Sequence, residues 1–344
     1  MKSIVITGHG GNEVVLLRNG PKPQRQPGHV LVRMEVATLN RVDLYMRNSG
    51  AGITHSLPQV MGLDGAGVVE EVDPTEATLK VGQRVTLHPG VVCGRCEFCQ
   101  RGEGVLCNKI QYLGEHRDGT LAQWISVPAH NAFAIPEGMS LTDAAALGVN
   151  HLTAWRMLFG KARVQAGESV LIFGIGGGVS LAALQLAKLA GLRTYVTSRS
   201  ADKLARAKAM GADHTINSQE QDVAKTIALL TQGRGVDVVI ENVGGDTWSH
   251  AMKSLVRGGR LVTCGATAGD MPGADLRRIF IRQLQIMGST LGDFSEFRQL
   301  IDFAAQHALR PVVDRVYPME QIHAALDRLD SGEQFGKVVV TLQA

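Results

Sequence analysis

Through its first 150 residues the chain sets short apolar runs between glycines and prolines. HVLVRMEVATLN (29–40), GAGVVEEV (65–72) and QRVTLHP (83–89) are rich in β-branched residues and bounded by turn formers, so each predicts a strand. From about residue 150 the period changes. SVLIFGIGGGVSLAALQLAKLAG (169–191) reads as strand, glycine turn and helix, and TYVTSRS (194–200), KLARAKAMGA (203–212), VDVVIENVGG (236–245) and RLVTCGA (260–266) continue the alternation. Strands alternating with helical stretches predict parallel βαβ units. The tail returns to helix at 295–309 and 319–332 and closes on the strand GKVVVTL (336–342). The expected class is α/β, in two domains, a length that 344 residues permit.

Hydrophobic residues make up 44% of the chain and charged ones 19%, an ordinary globular balance. The net charge of +3 comes from scattered Lys and Arg, which argues against nucleic acid as a partner. The start MKSIVITGHG has no signal-like apolar core, and no run of 18 apolar residues occurs, so no membrane partner is expected. Four of the five cysteines, Cys93, Cys96, Cys99 and Cys107, fall within fifteen residues as C-x2-C-x2-C-x7-C. That spacing predicts a closed tetrahedral thiolate site for one structural Zn²⁺ in a lobe over 90–110. Thiolate ligands and the lone Cys264 fit a reducing cytoplasm.

Gly174, Gly176, Gly177, Gly178 and Val179 lie between an apolar strand and a helix. There, glycines allow a tight turn and let backbone N–H groups meet a pyrophosphate at the helix N-terminus. Ser180 stands where a third motif glycine is usual. The end of the next strand, where an NAD site carries an acid, reads Thr197-Ser198-Arg199-Ser200, with Lys203 one turn later. Ser198, Arg199 and Lys203 suit a 2′-phosphate, so the expected cofactor is NADP(H).

Together with NRVDLYMRNSG (40–50), GLDGAGVVEEV (62–72), LTAWRML (152–158), ENVGG (241–245) and FGKVVV (335–340), these features resemble the medium-chain dehydrogenase/reductase superfamily nearly end to end. The resemblance implies a doubly wound Rossmann domain over 150–289. It also implies a GroES-like, mainly β catalytic domain over 1–149, completed by 290–344, and a homodimer or homotetramer. At the positions of that superfamily's catalytic zinc ligands the chain has Asn40, Leu63 and Val149, a set that cannot hold the metal even with Asp64 alongside.

The expected activity is therefore that of the quinone oxidoreductase and enoyl reductase branch, NADPH-dependent hydride transfer to an α,β-unsaturated carbonyl or quinone. The alternatives are an NADP(H)-dependent alcohol dehydrogenase or ketone reductase and, in another class, a non-catalytic NADPH-binding protein. By resemblance, Asn40 contacts substrate or nicotinamide, Tyr45 donates a hydrogen bond or proton, and His151 faces the site. In the alternative, Asn40 caps the helix opening at Arg41, Tyr45 packs and His151 is structural. The resemblance also brings Thr153 to the nicotinamide and Asn242, Val243 and Gly244 to the ribose. It brings Cys264, Gly265 and Ala266, with Ser289, Thr290 and Leu291, to the carboxamide, and Lys337 to the pyrophosphate.

Overall fold

The structure is a computed structural model that describes residues 1–343. It divides into two compact units, one of Met1–Leu152 with the return from Gly292 onward, the other Thr153–Leu291. The sequence set the divisions after 149 and 289, three and two residues earlier.

The first unit is mainly β. Its large sheet runs Ala132–Ala134, Arg84–Leu87, Asp64–Glu71, His29–Thr38, Lys337–Thr341 and Val313–Pro318, with Trp124–Pro128 also on His29–Thr38. His29–Thr38 is the hub, because Val30, Val32, Met34 and Ala37 are all buried in the core of this unit. Gly67 sits where Asp64–Glu71 crosses a register break in His29–Thr38. A Cβ there would lie 2.1 Å from the Arg33 carbonyl oxygen, so no larger residue fits without moving a strand. The antiparallel pairing of His29–Thr38 with both Asp64–Glu71 and Lys337–Thr341 brings segments far apart in sequence together in the middle of the sheet.

The second unit is a parallel sheet. Its strands are β1 (Ser169–Ile172), β2 (Arg193–Ser198), β3 (His214–Asn217), β4 (Val236–Glu241), β5 (Leu255–Thr263) and β6 (Gln285–Gly288). They lie in the order β3-β2-β1-β4-β5-β6, and every pair is parallel. This is the doubly wound order whose reversal beside β1 opens a crevice at the strands' carboxyl ends. Val170, Leu171 and Ile172 of β1 and Val238, Val239 and Ile240 of β4 are fully buried, as central parallel strands require. Among the described residues, no helix is long and apolar enough to cross a membrane.

Candidate functional site

The cysteine lobe is built by turns. Gly94 and Gly102 take φ of +70° and +79°, bending the chain on either side of the short helix Glu97–Gln100. All four sulfurs then lie within 4.8 Å of one another, with Cys96 Sγ and Cys93 Sγ 3.5 and 3.9 Å from Cys99 Sγ. A tetrahedron of about 2.3 Å Zn–S bonds has edges of about 3.8 Å. The thiols are free of disulfide bonds, and the cage fits one zinc ion with every position filled by sulfur. A second contact ties the lobe down, since the Val105 N–H donates to Asp293 Oδ1 at 2.7 Å.

In the parallel unit, β1 runs into the glycine turn and the helix Gly178–Leu189, whose N-cap is Gly177. Gly174 and Gly176 take φ of +69° and +110°. A Cβ on Gly176 would come 2.6 Å from Lys203 Cδ, so the glycine leaves room for that lysine's stem. Ser180, in place of the usual glycine, donates from Oγ to the Gly174 carbonyl at 2.7 Å and is fully buried. Val179 is the second residue of the helix, in a first turn whose N–H groups have no intrahelical acceptor, which suits a pyrophosphate. At the end of β2, Ser198 Oγ accepts from the Ser200 N–H at 3.1 Å, Arg199 is exposed, and Lys203 lies in the first turn of the helix Ala201–Ala209.

After β4, one residue the sequence reading missed organises the loop. Glu241, fully buried, accepts from the N–H groups of Val243 and Gly244, each at 3.0 Å, and from Thr247 Oγ1 at 2.8 Å. It holds Asn242, Val243 and Gly244 in one conformation. Beside it, burial and the Glu241 charge push the Cys264 thiol up to about 12, which disfavours the thiolate a nucleophile needs. A Cβ on Gly265 would stand 3.1 Å from the Asn242 carbonyl oxygen, and the Ala266 carbonyl accepts from the Gly269 N–H at 3.2 Å. The Ser289 N–H bonds the Thr263 carbonyl at 2.8 Å, while its Oγ is buried with no partner among the described residues. Leu291 takes φ of +45°. Thr153 is buried at the opening of this unit. The glycine cradle and the orphan Ser289 hydroxyl both fit a bound dinucleotide.

In the β unit, the positions where relatives' ligands were expected form something else. Asp64 is fully buried at the start of its strand. Its Oδ1 accepts from the Val149 N–H at 2.6 Å, and its Oδ2 from Thr38 Oγ1 at 3.0 Å, Asn40 Nδ2 at 2.8 Å and Lys337 Nζ at 3.0 Å. Lys337 Nζ also donates to Asn40 Oδ1 at 2.7 Å and to the Leu39 carbonyl at 3.1 Å. This corrects the place expected for Lys337. Its ammonium has three protons, all three have acceptors inside this unit, and none is left for a pyrophosphate oxygen. Asn40 is committed as well: its amide bridges Lys337 and Asp64, and its backbone N–H caps onto Asp43 Oδ2 at 2.7 Å as the helix Arg41–Ser49 begins. Leu63 is an apolar core residue. The set does not fit a catalytic zinc, because its one carboxylate already has a buried ammonium for a counter-ion.

Two carboxyls stand beside this network. Asp43 is buried and, chiefly through that burial and secondarily through the Asp64 charge, pushed up to about 7; its Oδ1 has no partner among the described residues. Glu115 is raised to about 7 by burial and by Asp43. Tyr45, on the helix Arg41–Ser49, is 39% exposed. His151 is buried with Nδ1 3.2 Å from the Ala146 carbonyl, a bond that fixes its tautomer.

The chain matches two family models, the alcohol dehydrogenase GroES-like domain over residues 26–137 and the zinc-binding dehydrogenase over 178–306. It is 32% identical over 321 residues to an alcohol dehydrogenase of Geobacillus stearothermophilus, covering 93% of this chain and 94% of that one. An NAD-dependent alcohol dehydrogenase of Sulfurisphaera tokodaii is 29% identical, over 94% and 95% of the two chains. Among solved structures, one of an NAD-dependent alcohol dehydrogenase superposes over the full length of both chains with a TM-score of 0.95 at 39% identity.

Proposed function

The chain belongs to the medium-chain dehydrogenase/reductase superfamily, and from that premise we propose that it is an NADPH-dependent reductase of α,β-unsaturated carbonyls or quinones that works without a catalytic zinc. That it is an oxidoreductase of alcohol-dehydrogenase type is the established part. The observation that carries the finer reading is the buried Lys337–Asp64–Asn40 network with Leu63 beside it.

Direct oxidation of an alcohol leaves an alkoxide that a Lewis acid normally stabilises. An ammonium with three occupied donors offers no vacant coordination position. Reduction of a conjugated alkene is less demanding, since the developing charge spreads onto a carbonyl oxygen that needs only hydrogen-bond donors and a proton. Bound NADPH supplies the hydride from C4 of its nicotinamide. In this reading the glycine turn 174–179 holds the pyrophosphate and Ser198, Arg199 and Lys203 the 2′-phosphate. Thr153, Asn242–Gly244, Cys264–Ala266, Ser289 and Leu291 line the ribose and carboxamide. Tyr45, 39% exposed, is the proton donor, with His151 and Asn40 as fixed polar walls.

The test is the product of trans-2-hexenal with NADPH. Hexanal supports the reductase, and 2-hexenol points to carbonyl reduction. A second reading, an NAD-dependent alcohol dehydrogenase, draws on the names of the relatives. For that reading 2-hexenol and a second zinc per chain are the expected results.

A further inference from the structure

The Lys337–Asp64 pair is almost entirely withdrawn from water, with side chains 3% and 0% exposed. Such pairs add little net stability over an apolar replacement of the same volume. Stability alone therefore does not explain why a charge pair lies buried here. Its geometry gives a reason. Nζ sits among three oxygens, the Leu39 carbonyl, Asn40 Oδ1 and Asp64 Oδ2, at 2.7–3.1 Å. Those oxygens come from the end of one strand and the start of another, and the lysine from the start of a third. Thr38, Val149 and a tight fit at Gly148, whose Cβ would stand 2.1 Å from Asp64 Oδ1, lock the carboxylate from the other sides. The asymmetry of the pair sets the Asn40 amide, its oxygen toward the ammonium and its nitrogen toward the carboxylate. Asn40 in turn opens the helix that carries Tyr45.

We propose that Lys337 is a positioning residue, its ammonium the resident cation of an oxygen cage that holds the Asp64 carboxylate and, through Asn40, fixes the start of the helix Arg41–Ser49. The inference rests on the reading that this unit works without a catalytic metal. It differs from a cofactor contact in one chemical respect. Three converging oxygens suit the tetrahedral donors of an ammonium, whereas a planar guanidinium has no room to turn its fork onto them.

The experiment uses the full-length protein, trans-2-hexenal and NADPH. Lys337→Ala removes the four atoms that n-propylammonium restores. The expected result is a kcat lower by about 100-fold with the KM for NADPH within about 3-fold, because the loss acts on the reacting geometry and not on cofactor binding. Propylammonium recovers at least about 10-fold of kcat and raises the melting temperature of the variant by about 3 °C or more, leaving the intact protein unmoved. Tetramethylammonium, which has no N–H, does neither. Lys337→Arg stays impaired.

A raised KM for NADPH with unchanged kcat, an active Lys337→Arg variant, or no response to propylammonium in either readout overturns the proposal. Should Lys337→Ala not fold, the charge-free pair Asp64→Asn/Lys337→Met takes its place, and a wild-type kcat in that variant is equally fatal. The reductase reading fails separately, on the product made by the intact protein, while the melting-temperature response needs no turnover at all.

Discussion

Asp43 is the group whose replacement most directly tests the electrostatics of the β unit. Burial is the main reason its carboxyl titrates near 7 instead of the usual 3.8, and the Asp64 charge adds to it against the opposing pull of the Asn40 N–H and Lys337. A folded-state value above the unfolded one means that the folded protein binds more protons, so stability falls as pH rises from about 4 and levels off above about 7. The roughly 3-unit gap corresponds to a ceiling of about 4 kcal/mol at about 1.4 kcal/mol per unit. Between pH 5 and 8.5 the ceiling on the change is about 3 kcal/mol, and water entry around the ionised group brings the expected figure to about 1–2 kcal/mol. Asp43→Asn cannot ionise. Its amide keeps an oxygen for the Asn40 N–H but places a donor where Oδ1 now lacks a partner, a cost that does not vary with pH. The diagnostic quantity is therefore the change, between pH 5 and 8.5, in the stability difference between variant and wild type. Urea unfolding at both pH values should show the variant gaining about 1–2 kcal/mol on the wild type. Part of that gain passes through Glu115, which loses a repelling neighbour. An equal difference at the two pH values refutes the argument.

Two further outcomes are expected. Elemental analysis should find one zinc per chain, and Cys96→Ser should lower the melting temperature far more than the specific activity of the surviving folded fraction, because the four-sulfur cage has no position for substrate. NADPH should bind more tightly than NADH, and Arg199→Ala should narrow that preference by about 10- to 100-fold, the scale of a charged hydrogen bond; equal binding of the two dinucleotides by the intact protein would remove the 2′-phosphate assignment.

What the sequence made legible is local. The cysteine spacing, the glycine turn after VLIF and the strand–helix alternation each lie within about thirty residues, and each physical cause acts over that range. The long-range features were not readable in this way. Lys337 lies 273 residues from Asp64, and nothing in FGKVVV indicates whether its lysine points at a phosphate or into a core. Glu241 was hidden for a related reason: a buried carboxylate that accepts the next loop's N–H groups looks, as a letter, like any strand-end acid. The edge strand Gln285–Gly288 and the helix Leu276–Arg282 carry little apolar periodicity, and their large side chains Leu276, Phe280 and Ile281 are exposed. The ligand positions stand between these cases. That Leu63 and Val149 cannot ligate zinc and that Asn40 is a poor ligand follows from residue type, whereas the Lys337–Asp64–Asn40 network at these positions needed coordinates.

The buried Lys337–Asp64 pair bears on the chemistry more than the ligand positions do. A buried carboxylate such as Asp64 must be neutralised, either by a proton or by a cation. A bound metal would meet the need and leave an open coordination position; the Lys337 ammonium meets it with every donor already spent. The positive charge is thus built into the covalent chain. It cannot be extracted by a chelator, and it cannot bind a substrate oxygen without giving up one of its three acceptors. Charge on a substrate in this unit is met by groups that still have a donor to offer, and on the helix Arg41–Ser49 the exposed ones include Tyr45, Asn48 and Ser49. On the proposed reading the acceptor is conjugated, and its oxygen takes the charge at a distance from the carbon that receives the hydride.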